Sequence, residues 1–251
     1  MHAHRHSPPL ARRRRPGRRR GATALVGLSA GLFFAALAPV RGAPAADAPP
    51  AWANDFTARV EALAVLQTLN AELLSHDSAT LTLDRWCDAH HLASPAKVVA
   101  VRDKAATREP TADQRRALGV GSSEPIRYRR VKLTCGSHVL SEADNWYVPS
   151  RLTPDINRQL DTGDIAFGRA AQPLHFQRRT LSARLLWSPL PDGWDTSPAA
   201  LPDPGGKTLT IPHAVLEHQA LLLLPDGTPI SEVIETYTDQ VLAFPQPRSP
   251  R

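Results

Sequence analysis

The chain has 251 residues, with 30 Lys and Arg against 24 Asp and Glu, a formal net charge of +6. That balance suggests a nucleic-acid partner until the charge is located: residues 1–45 hold nine arginines and no acid, leaving 21 basic against 24 acidic residues in the remainder. A mildly acidic remainder has no evident patch for neutralising phosphates, which excludes nucleic acid as a partner.

Arginines 12–15 and 18–20 precede an uncharged apolar run, Ala22 to Ala38, and then the small-residue segment Ala43-Pro44-Ala45. A basic region, an apolar core and an A-x-A site together predict a signal peptide over residues 1–45. The apolar run is shorter than the ~20 residues a spanning helix needs; retention as an N-terminal membrane anchor is the alternative. The expected location is the periplasm or the exterior. Export machinery is a transient partner, and the general secretory and twin-arginine routes both stay open. The residues beyond position 45 suffice for one domain with its own core. Cys87 and Cys135 can pair in an oxidising compartment or remain buried thiols in a reducing one, and their spacing does not decide.

After a Pro/Ala linker at 46–53, Asn54 or Asp55 can cap a helix in which Phe56, Val60, Leu63, Leu66, Leu69 and Leu73 recur at helical spacing. Ser75 to Ser78 breaks it, and Ala79 to His90 forms a second helix. Lys97 to Arg102 reads as a short strand, and Thr111 to Leu118 as a short helix or loop. Ile126 to Leu133 and Val139 to Val148 form a hairpin about the turn Cys135 to His138. Thr153-Pro154 starts a short helix running to Leu160, and Asp164 can cap a further turn through Gly168. Gln177 to Trp187 is a strand, and Ser188 to Pro212 a Pro/Gly-rich loop. His218 to Leu224 and Pro229 to Thr238 form a second hairpin about Asp226-Gly227. Residues 246–251 read as a disordered tail.

Each hairpin's second strand carries Ser-Glu-x-x-x-x-Tyr: Ser141 to Tyr147 and Ser231 to Tyr237. Matching position after a turn points to an internal duplication contributing to one antiparallel sheet. Helices that cluster before and between the strands, without βα alternation, indicate an α+β domain over 54–245 with helices packed on one side of the sheet.

Four stretches in order resemble the chorismate pyruvate-lyase family: Leu74 to Thr80; Tyr128 to Leu133 with Trp146-Tyr147-Val148-Pro149; Ala166-Phe167-Gly168-Arg169; and Pro229 to Tyr237. The resemblance implies that fold and a pocket in which Arg129 holds a ring carboxylate. Glu235 would face a hydroxyl or ether at the far end, and backbone amides near Ala79, Phe167 and Gly168 would assist. The implied reaction is elimination of pyruvate from chorismate or a related enol-ether carboxylate, without cofactor or metal, giving a 4-hydroxybenzoate-type product. The alternative is a non-catalytic exported domain that binds a small aromatic or cyclohexadiene carboxylate. Phe167 stands where the family has leucine, and Ala79 where a larger apolar residue is usual.

Strand alternation tests Arg129 independently. It shares parity with Val131 and Leu133, so it lies on the apolar face, where an unpaired charge is costly. It requires an internal acid or an anionic ligand; an Arg–Glu pair that merely locks the hairpins is the competing account. Arg127 has the same parity and is the reserve. In the last strand neither face is clearly the core, so Glu235 rests on its position two residues before the aromatic. Ser75-His76-Asp77 is better explained by helix capping than by a triad. Cys87 with His90 or His91 gives too few ligands for a metal site. Oligomeric state is not legible.

Overall fold

The computed structural model describes residues 51–196 and 205–247. The signal-peptide segment, most of the linker, part of the Pro/Gly loop and the last tail residues lie outside them. Five α-helices appear in chain order among the described residues: α1 (Phe56–Ser75), α2 (Ala79–Ala89), α3 (Ala112–Ala117), α4 (Pro154–Thr162) and α5 (Phe167–Ala170). Six strands, β1 (Val98–Asp103), β2 (Arg127–Cys135), β3 (His138–Tyr147), β4 (Gln177–Leu185), β5 (Ala214–Leu223) and β6 (Pro229–Thr238), form one antiparallel sheet in the order β1-β2-β3-β6-β5-β4.

That order has a simple origin in the repeat. The two Ser-Glu-x-x-x-x-Tyr segments lie side by side and antiparallel, Ser141 opposite Tyr237 and Tyr147 opposite Ser231, with Asp144 opposite Ile234 at the centre. Each half then extends outward by two more strands. The hairpins join through their second strands about a pseudo-twofold axis, so one continuous core face is shared by both halves.

α1 begins where the Asp55 carboxylate accepts the Ala58 N–H at 2.8 Å, and it buries Ala58, Ala62, Leu66, Leu69 and Leu73 against the sheet. Phe56, read from periodicity as an inward position, is instead largely exposed and meets Trp194 edge-on. α2 starts with Ser78 as N-cap and is tied to the end of β2 by a Cys87–Cys135 disulfide. α4 has Pro154 at its first turn and Thr153 capping the Ile156 N–H at 3.2 Å. α1 and α2 pack on the face that carries Val131, Leu133, Ala143, Val233 and Ala220, and α4 packs with Tyr147, Phe167 and Leu222. α3 and Leu118 lie on the opposite face, where Leu118 meets Leu221 and Val148.

Several local expectations need correction. Trp52 belongs to the core rather than to a linker: it is 2% exposed, and its indole N–H donates to the Leu242 carbonyl at 3.0 Å. Asp164 does not cap α5; Ala166 occupies that position, and the Asp164 carbonyl instead accepts the Ala100 N–H beside β1. β5 starts at Ala214, four residues before His218, because the pairing with β6 extends to Thr238.

Candidate functional site

The repeat also dictates which side chains meet beneath the helices. Asn145 and Glu235 are the fifth residues of their repeats. Asn145 faces Arg129 across β2–β3, and Glu235 faces His218 across β5–β6. A strictly duplicated sequence would place a carboxylate beside Arg129. This chain places an amide there.

The consequence is a cavity in which one arginine has no carboxylate at ion-pair distance. It encloses about 480 Å³, including its open mouth, and is lined by Arg129, Asn145, Arg178, Glu235, Phe167 and Phe176 among others. Only about 40 Å³ of it is wide enough for the centre of a water molecule, room for about three waters. Arg129 is 2% exposed. One of its Nη atoms donates to the Ile165 carbonyl at 3.1 Å, while its buried Nε has no acceptor. No carboxylate lies within ion-pair distance of it among the described residues. Burial lowers its pKa and the neighbouring Arg102 lowers it further, against the raising influence of Tyr147, Asp161 and Asp164.

Glu235 is committed elsewhere. Its Oε2 accepts from an Arg178 Nη at 2.6 Å, with both side chains under a tenth exposed, and from the Tyr237 hydroxyl at 3.2 Å. Burial opposes the charge on Arg178, but Glu235 together with Tyr237 and Asp77 outweighs it, and its pKa is raised. Burial and then Glu235 push the Tyr237 phenol well above its ordinary value, so it stays protonated. His218, fully buried, contacts the Asn70 amide oxygen through Nε2 at 2.8 Å and leaves Nδ1 unpartnered. Burial, reinforced by Arg178, lowers its pKa to about 4. Two arginines and two carboxylates line the cavity, but Glu235 pairs with Arg178 and Asp77 accepts the Arg178 backbone N–H at 2.9 Å, so Arg129 is left without an ion-pair partner among the described residues.

Two helix starts border the cavity. Ala79 and Thr80 open α2, and Phe167 and Gly168 open α5. First-turn N–H groups have no intrahelical acceptor, and Ser78 Oγ takes only the Leu81 N–H, at 3.4 Å. Gly168 permits this convergence: a Cβ there would stand 2.7 Å from Ser78 Oγ and 3.2 Å from Thr80 Oγ1.

Of the residues expected from sequence, Arg129, Glu235, Ala79, Phe167 and Gly168 all line this cavity. Arg127 does not. Its guanidinium pairs with Asp161 at 2.5 Å on the surface, because β2 leaves the sheet's covered region at that end. Ser75, His76 and Asp77 form no triad: Ser75 bonds the Ala71 carbonyl, His76 the Glu72 carbonyl, and Asp77 accepts the Arg178 N–H. Cys87 is engaged in the disulfide. Sequence reasoning missed Arg178 and His218. For His218 a signal existed, since it shares strand parity with Ala220 and Leu222. Arg178 has an adjacent arginine of the same chemistry, and only the register of β4 on β5 selects it.

No protein-family model matches the sequence. The chain has partial likeness to several solved bacterial structures. They include the possible transcriptional regulator YydK from Bacillus subtilis, at 15% identity, 61% of this chain, 62% of that one and a TM-score of 0.36. The overlap thus spans less than two thirds of YydK. PhnF from Mycobacterium smegmatis gives 10% identity, 70% of each chain and a TM-score of 0.42. The ligand-binding domain of a GntR-family regulator from Bordetella bronchiseptica gives 12%, 62% of this chain, 91% of that one and 0.38. In sequence, the chain is 55% identical over 217 residues to the uncharacterized protein y4mC of Sinorhizobium fredii (strain NBRC 101917 / NGR234), covering 85% of this chain and 91% of that protein. The chain belongs to the same family as y4mC.

Proposed function

We propose that the domain binds a small carboxylate-bearing molecule, with the carboxylate seated on Arg129, and does not turn it over. The observation that carries this reading is the buried Arg129 guanidinium without a carboxylate partner, in a cavity where the one glutamate already neutralises another arginine. Leaving a cation buried and unpaired is costly, and a ligand anion removes the cost. The first-turn amides of α2 supply further donors. Phe167 and Phe176 offer apolar walls to an aromatic or cyclohexadiene ring. The test is calorimetric titration with benzoate and 4-hydroxybenzoate: binding in the native protein and none in Arg129→Met is the expected result, whereas equal binding by both would refute it.

A second reading is elimination of pyruvate from chorismate or a related enol ether. It is favoured by Glu235 standing in the same cavity as Arg129. Because aromatisation drives that elimination, positioning and a nearby carboxylate would suffice. Against it, Glu235 is held by Arg178 and Tyr237. Pyruvate release from chorismate above the spontaneous rate would establish it.

We read residues 1–45 as an export leader that delivers the domain outside the cytoplasm, a reading supported by the Cys87–Cys135 disulfide, since such bonds persist in oxidising compartments.

A further inference from the structure

The two halves of the repeat use their fifth residues differently. Glu235 turns to Arg178 and Tyr237. Its counterpart Asn145 turns to Ser231, whose buried hydroxyl donates to Asn145 Oδ1 at 2.8 Å. The pseudo-twofold axis would pair Ser141 with Glu235 in the same way, yet the Ser141 Oγ is buried without a partner among the described residues. The serine–amide bond therefore belongs to the Arg129 half alone, and it fixes which end of the amide points where.

With Oδ1 taken by Ser231, the Nδ2 group is left as the donor on the cavity side. Asn145 is 5% exposed and lines the cavity, and its Nδ2 donates to no protein atom among the described residues. Directly across β2–β3 stands Arg129, whose Nε is also buried without an acceptor. Residues opposed on one face of an antiparallel pair have Cβ atoms about 5 Å apart, close enough to share one bound group. Two unanswered donors meet there.

We propose that Asn145 is the specificity-determining residue of this site: its Nδ2, aimed by Ser231, holds the ligand carboxylate jointly with the Arg129 guanidinium, and its neutrality keeps that guanidinium available. This rests on the carboxylate reading above and deepens it by naming the head group, an oxyanion with an acceptor for each donor and no N–H of its own. A neutral amide head would set donor against donor. A carboxylate at position 145 would take the guanidinium for itself, as Glu235 takes Arg178, because charge-assisted Arg–carboxylate bonds outweigh neutral ones.

The experiment titrates benzoate and benzamide into the full-length protein, Asn145→Leu, Asn145→Asp and Arg129→Met, and follows the thermal unfolding of each and of the Arg129→Met/Asn145→Asp double variant. The parent should bind benzoate and not benzamide. Asn145→Leu keeps the size and removes the donor, so benzoate should weaken about tenfold. Asn145→Asp should weaken it about a hundredfold or more. The aspartate should also shift the melting temperature about 3 °C more favourably with Arg129 present than in Arg129→Met. A merely space-filling side chain produces no such difference, and the comparison holds even where one variant is unstable. Benzoate affinity unchanged in Asn145→Leu, or equal losses in the Leu and Asp variants, overturns the role of Asn145 while the carboxylate reading survives. So does an equal melting shift in both backgrounds. Benzoate binding that ignores Arg129→Met, benzamide bound as tightly as benzoate, or no binding by the parent overturns both.

Discussion

Arg129 and Glu235 differ in what their charges are doing, and substitutions should reveal it with opposite signs. Glu235→Gln keeps the shape but strands Arg178 without its counter-charge in a buried site. Removing one partner of such a pair costs about 3 kcal/mol or more, so chemical denaturation should show a clear loss of stability. Arg129→Met removes a buried cation with no carboxylate at ion-pair distance, and the expected change in stability is zero or a gain of about 1 kcal/mol. His218 gives a pH signature. Its folded pKa of about 4 lies below the ordinary 6.5, so the unfolded chain takes up a proton as pH falls through 6.5 while the folded protein does not until about 4. Stability from this group is complete above pH 6.5 and falls by about 3 kcal/mol as pH drops to 4. Denaturation at pH 7 and pH 4.5 should show the decline, and His218→Gln should flatten it. A slope unchanged in the variant would assign the acid loss to other groups.

At the scale of elements, the sheet was legible for a definite reason. Two copies of Ser-Glu-x-x-x-x-Tyr after two turns implied two hairpins in one sheet, and their side-by-side register is that implication realised. Parity placed Arg129 inward because Val131 and Leu133 left only one apolar face. The same reasoning could not separate Arg178 from Arg179, nor settle the faces of β6, where Glu232 and Glu235 are both buried on opposite sides. Those choices depend on register across strands distant in sequence, as does the displacement of Arg127 to the surface. Trp52 was hidden by its Pro/Ala surroundings, since its partner Leu242 lies at the other end of the chain. The junction of α2 and α5 is a tight contact that Gly168 alone permits. Gly168→Ala should displace the Ser78 hydroxyl, weaken the α2 cap by about 1 kcal/mol, and crowd the cavity wall; thermal unfolding together with benzoate titration would register both effects. A variant indistinguishable from the parent would show that the contact is soft.

For the whole molecule, the disulfide joins α2, whose first turn borders the cavity, to the end of the strand bearing Arg129. It closes a loop with a sequence separation of 48, for which the chain-entropy argument gives at most about 4 kcal/mol. Thermal unfolding with and without reductant should differ accordingly, and intact-mass measurement of protein from the cell envelope should find both thiols oxidised. N-terminal sequencing of that protein tests export separately: a start near residue 46 is expected, and an intact Met1 would contradict cleavage. The pocket's volume and its charge balance were beyond the sequence, because both arise from five strands and two helix starts meeting about the pseudo-twofold axis.

The central claim is that one inward guanidinium is kept for a ligand and not for the fold. The most direct measurement is benzoate titration of Arg129→Met alongside its thermal unfolding. Loss of binding with a melting temperature equal to or above that of the parent is the predicted result; retained affinity, or a protein that melts several degrees lower, would contradict it.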